Sequence, residues 1–270
     1  VKFTNSLGKA VSQRKVKSMK SRIGFLVFVI VSVQLNAQTF TEKITKEFSL
    51  EKKSVDNAVV IANINGNVKV VGYTDDKILV EVTRSINAKT EARLEKGKTE
   101  IKLGVLDLAD TLILYVEGLC GGFGKLNDKN KGVHRATGKW GYNWNNGCSD
   151  CNEGYDYKMD FVIRVPSSLN VSASTINNGD ISIENVDGVV VANNINGSIR
   201  LNNLMRESNA STINGNVDVV YARNPQKDCR YYSLNGDINA WFQQGLSASM
   251  RFESFNGSFY TNIDRLEALP

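Results

Sequence analysis

The fold is decided between Leu169 and Asn262. There the chain reads Ile195-Asn196-Gly197-Ser198-Ile199-Arg200-Leu201 and then Ile213-Asn214-Gly215-Asn216-Val217-Asp218-Val219. The phrase returns as Leu234-Asn235-Gly236-Asp237-Ile238-Asn239-Ala240 and as Phe255-Asn256-Gly257-Ser258-Phe259-Tyr260-Thr261. With one extra asparagine it stands at Ile176-Asn177-Asn178-Gly179-Asp180-Ile181, and a separate copy, Ile64-Asn65-Gly66-Asn67-Val68, lies upstream. In the main block the glycines follow one another at spacings of 18, 18, 21 and 21 residues. A fixed period near 20 is the signature of a solenoid.

Aligned on the glycine, the copies separate into columns. Two residues after it stand Val68, Ile181, Ile199, Val217, Ile238 and Phe259, and four after it Val70, Ile183, Leu201, Val219, Ala240 and Thr261. Two before it stand Ile64, Ile195, Ile213, Leu234 and Phe255. Further upstream come the pairs Val59/Ile61, Val190/Ala192, Ser208/Ala210, Cys229/Tyr231 and Met250/Phe252. Apolar residues two apart mean strands with one buried face. One coil therefore reads strand, Asn-Gly corner, strand, variable corner. The corner bends the chain at φ > 0, which glycine takes freely and asparagine tolerates.

The expected fold is all-β: a single-stranded parallel β-helix, or β-solenoid, with coils of about 18–21 residues. Its structural corners are Asn65-Gly66, Asn178-Gly179, Asn196-Gly197, Asn214-Gly215, Asn235-Gly236 and Asn256-Gly257. Rungs about 4.8 Å apart would stack the asparagines into a column whose amides bond to one another. A β-sandwich of Asn-Gly hairpins is the competing fold. Hairpins account for one copy less awkwardly than for six with matching columns on both sides.

The Ile-Asn-Gly copies, the run from Val68 to Tyr73 into a second strand, and an export-type N-terminus resemble the putative adhesin family. These are exported bacterial β-solenoid domains related to auto-transporter adhesin head ("GIN") domains. The resemblance covers roughly residues 59–262. It implies an exported β-solenoid and no catalytic residues.

Residues 1–37 carry seven basic residues and no acidic one. Without them, 26 of the 33 basic residues face 28 acidic ones, so the net charge of +5 belongs to the leader and gives no reason to expect nucleic acid. Met19-Lys20-Ser21-Arg22, the apolar run from Ile23 to Val33, and Leu35-Asn36-Ala37 before Gln38 have the order of a secretory signal peptide. The run is short for a membrane span. The division expected is a leader and signal peptide over 1–37, cleaved after Ala37, and a solenoid domain over 38–270 with no transmembrane anchor after cleavage. The mature protein would be periplasmic, on the outer surface, or secreted.

Between the first two corners, segments around Phe40–Leu50, Ile78–Ile86, Ile101–Asp107, Thr111–Glu117 and Tyr157–Val165 read as strands, and Thr90–Lys98 has helix-favouring composition. Residues 118–154 form a Gly- and Asn-rich excursion holding Cys120, His134, Trp140, Tyr142, Trp144, Cys148 and Cys151. Loops of this length are usually functional or disordered. In an oxidising compartment, Cys120 is expected to pair with Cys148 or Cys151. A zinc site of Cys120, His134, Cys148 and Cys151 has suitable ligand types but matches no standard finger spacing. Cys229 falls in an apolar column and reads as a buried free thiol.

His134 is the only histidine, and no Gly-x-Ser-x-Gly, His-Glu-x-x-His or phosphate loop occurs. Asp180 and Asp237 follow corner glycines, but Ser198 and Asn216 hold that place on the coils between them. Isolated surface carboxylates are thus expected, with no catalytic residue, metal or cofactor. Trp140, Tyr142 and Trp144 are two apart, so on an extended segment they share a face. That face is either a platform for a sugar ring or the side that anchors the loop to the scaffold. The expected activity is non-enzymatic adhesin-like interaction with a glycan or with an envelope or surface protein. A glycan-binding module and a polysaccharide-active β-helix enzyme are the alternatives.

Overall fold

The computed structural model describes residues 38–118, 122–125, 140–143 and 154–262, all within one compact unit, Leu35–Pro270. The protein is all-β, built on two large sheets. β1 (Gln38–Phe48) leads to β2 (Ala58–Ala62) and β3 (Val68–Tyr73), which flank the first Asn-Gly corner. β4 (Ile78–Ala88), α1 (Glu91–Glu100), β5 (Lys102–Asp107) and β6 (Thr111–Glu117) follow. A small hairpin, β7 (Gly122–Lys125) and β8 (Trp140–Asn143), precedes the long β9 (Tyr155–Pro166). The repeat block then supplies strand pairs across each corner: β10 (Asn170–Ser174) and β11 (Ile181–Glu184), β12 (Val190–Asn193) and β13 (Ile199–Leu204), β14 (Ser208–Asn214) and β15 (Val217–Tyr221), β16 (Arg230–Asn235) and β17 (Ile238–Trp241).

Each corner carries the chain from one sheet to the other. The first strand of a pair joins the seven-stranded sheet, ordered β16-β14-β12-β10-β2-β6-β5. The second joins the eight-stranded sheet, ordered β1-β4-β9-β3-β11-β13-β15-β17. Within the repeats the pairing is parallel: Ile181 opposite Ile199, Ile199 opposite Val217, and Val217 opposite Ile238. The inner faces form one core of Val59, Ile61, Val68, Val70, Val171, Ala173, Ile181, Ile199, Val217 and their neighbours.

The single-stranded parallel β-helix expected over the whole of 38–270 is not what forms. Both sheets are mixed, because β1, β4 and β9 pair antiparallel with one another, and so do β5 and β6. The physical reason is that alternation fixes which face is buried but not which way the partner runs. β4 and β9 are 11 and 12 residues long, and Leu79–Ala88 lies against Tyr155–Arg164 without a break. Beyond β17, residues 242–262 contain no strand, so the Gly257 copy does not stack on the Gly236 copy.

The long interval between the first two corners also resolves. β2 and β3 lie directly beside β10 and β11, with Val59 opposite Val171 and Val68 opposite Ile181. On their other side β2 pairs with β6 and β3 with β9. β6 and β9 therefore make a rung of their own, in which residues 118–154 stand where the other rungs have Asn-Gly.

The corner is held by three stacked columns. A Cβ on Gly179, Gly197, Gly215 or Gly236 would lie 1.9, 2.1, 2.3 or 2.1 Å from the carbonyl oxygen of the glycine one rung below. Close approach is thus what these positions share, whereas a positive φ occurs at Gly66, Gly197 and Gly215 among the corner glycines. Beside them runs an amide ladder: Asn196 donates to Asn177 at 3.0 Å, Asn214 to Asn196 at 2.7 Å and Asn235 to Asn214 at 2.8 Å. Asn177, and not Asn178, holds the ladder position in the corner with the extra residue. Asn178 bulges outward at φ 55 instead. Asn256 does not join the ladder.

The third column is polar, buried at Thr175, Asn194 and Thr212 and half-buried at Ser233, and its members bond the glycine carbonyls of the rung below. The Thr175 hydroxyl donates to Gly66 O, the Asn194 amide to Gly179 O, the Thr212 hydroxyl to Gly197 O and the Ser233 hydroxyl to Gly215 O, at 2.8–3.0 Å. Thr212→Val keeps the shape but strips the donor from a side chain that is fully buried. The expected loss is about 1–2 kcal/mol, read as a shift of the urea midpoint with unchanged slope. An unshifted midpoint would mean the Gly197 carbonyl is satisfied without Thr212.

Candidate functional site

The excursion at the corner of the β6–β9 rung carries the aromatic residues. β7 and β8 pair antiparallel, with Phe123 opposite Tyr142 and the backbone of Lys125 opposite Trp140. Tyr142 turns inward and is 3% exposed. Its hydroxyl accepts from the Val116 N–H at 2.8 Å and lies 3.0 Å from the carbonyls of Ala62 and Val116, to either of which it can donate. Burial pushes this phenol far above the ordinary tyrosine range, so it stays a neutral donor. The residue therefore pins the hairpin to β2 and β6.

Around this anchor the rings form a stack. Phe123 lies on Tyr115 with centroids 4.3 Å apart and planes 12° apart, and meets Tyr142 edge-on at 5.1 Å. Trp140 lies nearly parallel to Phe123, with centroids 6.4 Å and planes 13° apart, and is half-buried. Offset and edge-on arrangements of this kind add about 0.5–1.5 kcal/mol each beyond area burial. Trp140 and Tyr142 do share a face of β8, but Tyr142 is spent on the anchor. Trp144, Cys120, His134, Cys148 and Cys151 lie outside the described residues. Phe123 and Tyr115 are the members that alternation alone did not single out; their signal was an aromatic residue within the same Gly-rich stretch and another on the strand that enters it.

The hairpin covers Ala62 and Ile64, with Ile176 at its margin, in a cluster separate from the main core. This corrects the inner placement expected for the residues two before each glycine. The corner reverses the alternation, so Ile64, Ile176, Ile195, Ile213 and Leu234 form an outward stripe. It is covered at Ile64 (7% exposed), half-buried at Ile195 and Ile213, and open at Leu234 (60%).

Polar groups along the rungs are engaged with one another. Asp180 accepts from the Ser198 N–H at 2.8 Å and pairs with Arg200 at 3.2 Å, while Asp218 accepts from Asn239 at 2.8 Å. Cys229 is free but half-exposed, unlike the buried thiol expected. It packs at the margin of the main core, beside the edge strand β16, and its Sγ lies 3.1 Å from the Tyr221 hydroxyl, which itself sits 2.6 Å from that of Tyr231 and 2.7 Å from Ser208 Oγ. Among the described residues no three His, Cys, Asp or Glu side chains gather to hold a metal, and no helix is long and apolar enough to cross a membrane.

No family model matches the chain, and no curated protein does. The chain is similar to a solved putative cell adhesion protein from Clostridium sporogenes, at 8% identity over 76% of this chain and 100% of that one, with a TM-score of 0.40. It is similar to a putative adhesin from Bacteroides fragilis, at 13% identity over 74% and 97%, with a TM-score of 0.24. It is also similar to a putative lipid binding protein from Parabacteroides distasonis, at 9% identity over 73% and 96%, with a TM-score of 0.22. At these scores the likenesses carry no argument about fold or function.

Proposed function

We propose that this chain is an exported, non-enzymatic interaction protein of adhesin-like kind. Its repeat block is a parallel β-solenoid segment extended by an antiparallel N-terminal part, and its business surface is the aromatic hairpin. The observation that carries the reading is the division of labour among side chains. The corner amides, hydroxyls and the carboxylates Asp180 and Asp218 are consumed between rungs, whereas the hairpin is fastened to the sheet through Tyr142 and holds Trp140 at the end of a ring stack. A scaffold built this way displays surface. Residues 1–37 act as leader and signal peptide, so the working protein starts at Gln38 and lies in the periplasm, at the surface or outside the cell.

A glycan is the more specific partner class, favoured by the half-buried indole of Trp140, which offers a flat apolar plate backed by Phe123. In that reading Trp140 and Trp144 carry the contact and Tyr142 carries the geometry. Glycan arrays and immobilised envelope proteins probed with the mature chain separate the two partner classes. The Trp140→Ala, Trp144→Ala double variant is expected to lose at least about tenfold in affinity, as an aromatic hot spot does, while still unfolding cooperatively, with stability lowered by no more than about 1–2 kcal/mol from the lost Phe123 contact. Binding undiminished in that variant would remove the hairpin from the interaction. Release of sugar fragments from a polysaccharide, abolished by one carboxylate substitution, would replace the non-enzymatic reading with an enzymatic one.

A further inference from the structure

The two sheets end in an open edge. Ile199 and Val217 are 0% exposed, yet Ile238, one rung on in the same column, is 44% exposed. Trp241, Leu234 and Tyr232 on the same two strands are 52%, 60% and 48% exposed. Residues immediately after β17 contain no strand, and Phe252, Phe255 and Phe259 among them are 53%, 98% and 50% exposed. An edge of this kind, long-faced and apolar, is a template for pairing.

We propose that the open edge of β16 and β17 is a strand-addition site and that its occupant is Met250–Thr261 of the same chain, added as one further parallel rung. The inference rests on the solenoid reading above. The segment matches the edge column by column. Gly257 follows Gly236 by 21 residues, the same interval that separates Gly236 from Gly215, so the connection after Trp241 has the length of the one that joins β15 to β16. Ser254 stands three before its glycine, as Asn194, Thr212 and Ser233 do before theirs. Each of those donates to the glycine carbonyl one rung below, and Gly236 O is the carbonyl that Ser254 would reach. In the present arrangement the Ser254 hydroxyl instead accepts from the Gly257 N–H at 2.6 Å, within its own turn.

The other columns agree. Asn235 donates its amide to Asn214, which leaves its Oδ1 as the next acceptor of the ladder, and Asn256 brings the donor. Phe259 falls over Ile238, Thr261 over Ala240 and Phe252 over Tyr231. The rings of Phe252 and Phe259 already meet across the Gly257 corner with centroids 3.9 Å apart, as inner-face residues on the two strands of one rung must. A Cβ on Gly257 touches only Ser254 now, whereas at Gly179, Gly197, Gly215 and Gly236 it would strike the glycine below, so the seat that demands a glycine at 257 is filled only on docking. Docked, the rung closes the core. Released, it bares an edge to other chains.

Hydrogen exchange on the chain from 38 to 270, with light scattering to fix the oligomeric state, tests this. Amides between Phe252 and Thr261 are expected to exchange at least about 100-fold more slowly than free amides in a monomer. Gly257→Val should abolish that protection while Val217–Tyr221 stays protected, and Ser254→Ala should weaken it. Fast exchange of 252–261 beside a protected β15 overturns the inference and leaves the solenoid reading standing. Protection that appears only in a dimer overturns it too, since the occupant would be a second copy. Fast exchange of β15 itself overturns the solenoid reading and this inference together.

Discussion

Val217→Asp is expected to abolish folding. Val217 is fully buried, and its neighbours above and below in the parallel ladder are Ile238 and Ile199. A carboxylate there has no partner, and it either stays charged in an apolar column or takes up a proton at the expense of a large pKa rise; both cost several kcal/mol. A domain has only about 5–15 kcal/mol of stability to lose. The variant should elute as aggregate and show no cooperative urea transition. The control lies one residue along. Asp218 points outward, and Asp218→Ala removes one hydrogen bond, to Asn239, for a loss of no more than about 1 kcal/mol. A cooperative Val217→Asp variant with a midpoint near the parent's would show that this column is not interior.

Gly215→Val is the second large effect. A Cβ at Gly215 would sit 2.3 Å from the Gly197 carbonyl oxygen and 2.5 Å from its carbon, both backbone atoms, at a φ of +155. Relief requires the two rungs to part, which breaks the Asn214–Asn196 bond as well. Overpacking and backbone strain together predict a loss of about 3–5 kcal/mol. Gly245→Ala provides the comparison. Its φ is +76 but nothing lies within 4 Å of the added carbon, so only conformational strain is incurred, about 1 kcal/mol. Equal losses at the two sites would mean that φ, and not the close approach of rungs, sets the need for glycine.

Much of this was legible in the chain. Spacing and alternation located every strand from β11 to β17 and most of the columns that fill the core, because burial of one face of a strand writes itself as period two; β10, with Val171 and Ala173 in the same columns, was not singled out. What the columns could not say was direction. β4 and β9 alternate as cleanly as any repeat strand, yet they pair antiparallel, since nothing in Val80, Val82, Phe161 or Ile163 marks which way a partner runs. Nor could two adjacent asparagines declare which joins the ladder; Asn177 does, and the bulge at Asn178 is a matter of backbone geometry. The outward stripe at Ile195 and Ile213 was misplaced because the corner interrupts the period. A further signal lies in the phrase itself: Asn63, Thr175, Asn194, Thr212, Ser233 and Ser254 precede the corner, one in each copy, and a short polar residue at a fixed place in an apolar phrase announces a carbonyl to be satisfied. At the candidate site, the three aromatic residues were visible, but whether Tyr142 faced a ligand or the sheet depended on the Val116 and Ala62 backbone groups that meet it.

Each glycine seat is filled by the carbonyl beneath it, so every rung offers the next one the same surface that it rests on itself. A whole repeat of 18 or 21 residues can be duplicated or excised without changing any seat, and each lengthens or shortens the stack by about 4.8 Å. Losing a single strand residue would instead turn every later side chain to the wrong face. The difference between 18 and 21 is taken up away from the corner, in the turn between Tyr221 and Arg230. The scaffold is in this sense a ruler. The distance from the hairpin over Ile64 to the edge at β17 is counted out in repeats, and gene duplication can adjust it by one graduation at a time.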